Sequence, residues 1–196
     1  MGSKKIVRLS ADEVLDCDQS NNGCKGGTVN RVLSWGKRKG FIPEECYTHE
    51  EGSAKTECTS DSLAENECRQ NQNIFKVVDF CLTSEIDGIK REIITNGPVI
   101  SQLSPYTDFL AYSSGFYQRT PESFKYNGSH IVKVLGWEKT PDGATAWIIE
   151  NSWGSTWGEQ GYGSVVSNGE TQLDYYGIGL AVYPTSMGDY YAAQQQ

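Results

Sequence analysis

Apolar positions in the first half of the chain fall mainly at helical spacing. Ser10-Ala11-Asp12-Glu13 reads as a capping box, Ser at the N-cap and Glu three positions on, opening a short helix to about Cys17. Residues 18 to 27 form a turn-rich loop with three glycines. Thr28 to Lys39 predicts a second helix, with Val29, Val32, Leu33 and Trp35 on its apolar side and Gly40 ending it. Residues 44–73 are polar, carry cysteines and have few apolar anchors, as expected of a covalently stapled loop. Ser84 to Asn96 predicts another helix, with Ile86, Ile89, Ile93 and Ile94 clustered on one side and Gly97-Pro98 stopping it. Beyond Pro98 strands dominate, over 99–103, 129–137, 146–151 and 161–166, with Thr140-Pro141-Asp142-Gly143 as a hairpin connection. Residues 186–196 are expected to be a disordered tail.

The composition is that of one globular unit with room for two lobes. No apolar run approaches the ~18 residues of a membrane span, and no signal-peptide core stands at the N-terminus. A net charge of −8 argues against non-specific nucleic-acid binding and suits an acidic compartment. Six cysteines point to an oxidising compartment. No Cys-x-x-Cys pair supports structural zinc, no cofactor is called for, and six cysteines leave fifteen pairings open. Cys81, between Phe80 and Leu82, is expected to be a buried thiol.

The candidate chemistry is concentrated in two segments. His130 stands before the β-type run Ile131-Val132-Lys133-Val134-Leu135, and Asn151 opens Asn151-Ser152-Trp153-Gly154 after a second run, Ala146 to Glu150. A histidine base held by an amide, with a tryptophan roofing the bond against water, is two-thirds of a thiol-protease triad. The other histidine, His49, lies in a polar stretch and reads as a solvated loop residue. Asn127-Gly128-Ser129 is an N-glycosylation sequon directly before His130. A glycan there would crowd a catalytic cleft, so either the site is unoccupied or the cleft is not used for catalysis.

Three blocks together carry a family resemblance. They are Leu9 to Cys17 with Asn22-Gly23-Cys24-Lys25-Gly26-Gly27, then Asn96-Gly97-Pro98-Val99 with Tyr106 to Tyr117, then His130 to Tyr162. In order and spacing the chain resembles papain-like cysteine peptidases of the cathepsin B and X type, over roughly residues 5 to 184. The resemblance implies an α+β fold with two lobes: a partial helical left lobe over 1–98, a largely complete antiparallel β right lobe over 99–184, and a tail over 185–196. It implies a Cys-His-Asn triad with His130 and Asn151 as catalytic residues and Trp153 in support. Gly26, Gly27 and Ile131 would contact a peptide substrate. Gly177 to Val182 resembles the final strand, and Gly179 falls where cathepsin B has an acidic residue, so no preference for Arg is expected there.

The family pattern also implies disulfides Cys17–Cys58 and Cys46–Cys68, with Cys24 seeking a partner ahead of the nucleophile. Only eight residues precede Leu9, so the nucleophilic Cys, the oxyanion Gln and the central helix are expected to lie outside this chain. The apolar faces of the first two helices would then want a covering partner. A light chain, a missing N-terminal segment or a repurposed fold would each account for this. The expected function is the heavy-chain-like or C-terminal portion of a papain-type endopeptidase, inactive alone. The alternative is a non-catalytic papain-like binding or structural module in a larger assembly. A lysosomal, vacuolar or secreted location follows from the family.

Overall fold

The structure is a computed structural model that describes residues 7–47 and 58–185. The expectations for His49 and for the tail over 186–196 lie outside the described residues. The chain divides into two compact units, one of residues 1–79 and 181–196 and the other of residues 80–180. Residues 80–98 thus group with the second unit, whereas the family resemblance placed them in the first lobe.

The first unit is helical. Helices α1 (Ala11–Cys17) and α2 (Val29–Arg38) appear where capping and periodicity predict them. Ser10 caps α1 by accepting from the Glu13 amide. The reciprocal half of the capping box does not form, because the Glu13 side chain turns inward to Arg69. Leu33 and Trp35 of α2 are buried, together with Ile42 and Val77. That face is therefore partly covered by the chain's own residues, contrary to the expectation of an unpartnered one. A β-carbon on Gly36 would come within 2.5 Å of Phe41 and 2.7 Å of Val77, so closeness of approach requires glycine there.

Residues 58–73 of the polar stretch form more than the expected stapled loop. They contain α3 (Ser60–Glu65) and α4 (Glu67–Gln70). Disulfides Cys17–Cys58 and Cys46–Cys68 tie this stretch down. Arg69 reaches from α4 to fully buried Glu13, donating from Nε at 2.8 Å, and also donates to the Lys39 and Gly40 carbonyls. Burial pushes the Glu13 carboxyl up, and the Arg69 guanidinium opposes that rise without cancelling it.

The sheet has seven strands: β1 (Phe75–Thr83), β2 (Val99–Leu103), β3 (Phe116–Tyr117), β4 (His130–Lys139), β5 (Thr145–Glu150), β6 (Tyr162–Val166) and β7 (Gly177–Pro184). Their order is β1-β7-β2-β4-β5-β6-β3. The β7–β2, β2–β4, β4–β5 and β5–β6 pairings are antiparallel, and β3–β6 is parallel. Strand β1 carried no clear alternation in the sequence, since it is an edge strand with exposed Val78 and Leu82. Cys81 on that strand is exposed, correcting the expectation of burial. Helix α5 (Glu85–Asn96) packs on β2 and β4, with Ile86, Ile89 and Ile93 against the core. The core of this unit includes Val99, Leu103, Val132, Val134, Trp147, Ile149 and Val165.

Candidate active site

Strand alternation places the two candidate polar residues. On β4, Val132 and Val134 are buried while Ile131 and Lys133 are exposed, so His130 shares the core-facing side. Leu103 of β2 stands opposite His130 in the register. On β5, Trp147 and Ile149 are buried, and Asn151, just past the strand, continues their face. Lys133 pairs with Glu150 and Val134 with Ile149. Continuing that register past the strand ends sets Asn151 beside Val132 and Trp153 beside His130.

The side chains meet accordingly. His130 Nε2 and Asn151 Oδ1 are 2.7 Å apart. The Ser152 amide also donates to Asn151 Oδ1, at 2.8 Å. An atom accepting a backbone N–H must be the amide oxygen, so the histidine proton sits on Nε2. Nδ1 then carries the lone pair and is the nitrogen able to take a proton from a thiol. The Trp153 ring lies 4.7 Å from the imidazole, centroid to centroid, tilted by 32°. That contact removes water from one side of the His–Asn bond and strengthens it.

Sequence reasoning assigned no role to the residues that hold Trp153 in place. Trp157 is buried and donates from Nε1 to the Phe109 carbonyl at 2.9 Å. Phe109 in turn meets Trp153 edge-on at 5.6 Å. Gly158 has φ 58°, and a β-carbon there would fall 2.3 Å from the Tyr162 carbonyl. No local pattern in the sequence says which of the rings of Phe109, Tyr112, Trp153 and Trp157 supports which.

The remaining candidates are placed separately. Ile131 exposes 39% of its surface on the face opposite His130. Gly26 and Gly27 belong to the first unit, after the 3-10 turn Gly23–Lys25. Gly26 has φ 101° and open space where a β-carbon would stand, whereas a β-carbon on Gly27 would meet Asn21 Oδ1 at 2.4 Å. Cys24 is exposed on that turn, outside both disulfides. The Glu92 carboxylate occupies the space beside Gly179, 2.0 Å from where its β-carbon would be. An acidic group thus stands next to the position that the sequence leaves without one. An apolar depression of about 270 Å³ adjoins Trp153, lined also by Pro105, Leu110 and residues 126–129.

Histidine on one strand, asparagine after the next and tryptophan over their bond form the arrangement expected of a thiol hydrolase. The chain matches the papain family of cysteine proteases over residues 1–182 and belongs to that family. It is similar to a cathepsin B-like protein, CP3, of Giardia intestinalis, with 32% identity over 165 residues, covering 83% of this chain and 54% of that protein. It is also 30% identical over 203 residues to a tubulointerstitial nephritis antigen-like protein of Rattus norvegicus, covering 88% of this chain and 44% of that one. The chain therefore spans about half the length of these relatives. Among solved structures it resembles procathepsin B S9 from Trypanosoma congolense, with a TM-score of 0.74, 26% identity, and coverage of 90% of this chain and 61% of the other. The α+β papain-like fold and the cathepsin B-like character stand on these matches. No helix among the described residues is long and apolar enough to cross a membrane.

Proposed function

We propose that this chain contributes the base and its orienting amide to a papain-type peptidase whose thiol lies outside it. In this reading His130 Nδ1 receives the thiol proton, Asn151 holds the imidazolium, and Trp153 shields their bond. The observation that carries it is the hydrogen bond from His130 Nε2 to Asn151 Oδ1, with the amide oxygen fixed by the Ser152 amide. The same residue supplies a second support. Asn151 Nδ2 is buried and has no acceptor among the described residues. A buried donor left unpaired costs about 1–3 kcal/mol, so a carbonyl from an additional segment fits there.

The cysteines within this chain do not fit the nucleophile. Four are consumed in disulfides. Cys81 lies on β1, three strand spacings from the strand of His130, or about 14 Å. Cys24 sits on a turn of the first unit and matches a family disulfide position rather than a nucleophile site. The substrate class is peptide, with Gly26, Gly27 and Ile131 as contact residues. The two disulfides favour an oxidising lysosomal, vacuolar or secreted setting.

The test compares the purified chain alone with the chain supplied with a family segment bearing Gln and Cys-Gly-Ser-Cys-Trp. Turnover of a peptide substrate is expected only in the second case, with loss on His130→Ala. Thiol-dependent turnover by the chain alone, blocked by an epoxide inhibitor, would sink the two-part reading. A second reading is a non-catalytic module, favoured by similarity to a relative named as an antigen rather than a protease. Failure of every thiol-bearing segment to restore turnover, with the His–Asn bond intact, would favour that reading.

A further inference from the structure

We infer that Asn127 is an N-glycosylation site and that the proximal sugar of its glycan lodges in the polar depression beside it, away from Trp153. Asn127-Gly128-Ser129 is the only Asn-x-Ser/Thr sequon in the chain. Its three residues are exposed, in a bend directly ahead of β4. Gly128 has φ 121° and nothing within 4 Å of where a β-carbon would stand, so the bend is open to an approaching enzyme. Two disulfides show that the fold is suited to the oxidising compartment in which this modification occurs.

The step is redox-neutral. The Asn127 carboxamide nitrogen attacks the anomeric carbon of the reducing-end N-acetylglucosamine of a lipid-pyrophosphate-linked oligosaccharide. The carbon–nitrogen bond forms as the carbon–oxygen bond to pyrophosphate breaks. The lipid pyrophosphate leaves with the electron pair, and the amide proton passes to a base of the transferase.

Two depressions flank the sequon, and their chemistry decides between them. One, of about 400 Å³, is lined by Gln102, Ser104, Lys125 and Gln172 together with residues 126–129. Ser104 donates to Gln172 Oε1, and Tyr176 donates to Gln102 Oε1. Those bonds fix both amide oxygens and leave both Nε2 groups to donate to sugar oxygens. The other depression adds Pro105, Leu110 and Trp153. Sugar hydroxyls pressed against those apolar groups would lose water without gaining partners. A glycan seated on the polar side leaves the Trp153 side open.

The experiment uses the full chain carried into the secretory pathway of insect cells by an added signal peptide. Intact mass is read before and after N-glycanase, in both the secreted and the cell-retained fractions. The wild type should lose mass on treatment. Ser129→Ala should arrive without that mass, and Ser129→Thr, which keeps the sequon, should retain it. A wild-type chain with no releasable mass in either fraction overturns the site. The placement is read from release rates. N-glycanase should act several-fold more slowly on the folded chain than on the denatured one, and Gln102→Ala should speed release from the folded chain. An unchanged rate for Gln102→Ala overturns the placement in the polar depression.

Discussion

Arg69→Met isolates a buried charge whose cost depends on pH. Arg69 is 11% exposed at its side chain and Glu13 is 0% exposed. Removing the guanidinium strands the carboxylate and also strips donors from the Lys39 and Gly40 carbonyls. Breaking a buried pair by removing one partner costs about 3–5 kcal/mol when the remaining group stays charged. Glu13 can escape part of that by taking up a proton. Its folded pKa is already raised above 4.5, by burial first and against the pull of Arg69, and the substitution removes that pull. For an acid with a raised folded pKa, the favourable contribution is fully present below the unfolded pKa. It is lost as pH rises through the folded one, at about 1.4 kcal/mol per pH unit. The penalty of Arg69→Met should therefore be about 1–2 kcal/mol near pH 4.5, from the lost carbonyl bonds. It should grow toward about 3 kcal/mol at pH 7, the lower end of the cost for a carboxylate that stays charged. Urea unfolding with disulfides intact, at both pH values, measures it. Glu13→Gln combined with Arg69→Met should lose the pH dependence. A penalty for Arg69→Met that is equal at the two pH values would refute the reasoning.

Three further outcomes follow from packing and connectivity. Gly36→Ala improves helix propensity by about 1 kcal/mol in isolation. Here the clash with Phe41 and Val77 should reverse the sign and destabilise by about 1–3 kcal/mol, read by thermal melting. Cys17→Ser with Cys58→Ser opens a loop with a sequence separation of 41 and should cost about 4 kcal/mol by chain entropy, read by urea titration. Trp147→Phe removes the 2.7 Å bond from Nε1 to Asp174 and should cost about 2–3 kcal/mol, whereas a loss under 0.5 kcal/mol would mean that water replaces the bond.

Much of the fold was legible because local signals agreed with tertiary packing. Ser10 and Thr28 mark helix starts that the structure keeps, and Gly97 ends α5 with φ 106°. Strand β1 and the two-residue β3 were not legible. The first is a partly exposed edge without clean alternation, and the second is too short to show a period. Helices α3 and α4 were hidden in a polar stretch, since their stability rests on caps, disulfides and Arg69 rather than an apolar stripe.

At the candidate site, the sequence alone determined residue types, their order and the strand ends on which His130 and Asn151 sit. Those follow from period-two alternation and turn chemistry, which act within a few residues of chain. Only the tertiary structure decided that the two side chains face one another at 2.7 Å, that the Ser152 amide fixes the amide oxygen, and that Trp157 and Phe109 hold Trp153 over the bond. It alone decided that Glu13 turns from its own helix cap to Arg69, 56 residues away. The reason is that cross-strand register and buried charge pairing are set by which surfaces exclude water together. That is a property of distant segments jointly, and no window of neighbouring residues contains it.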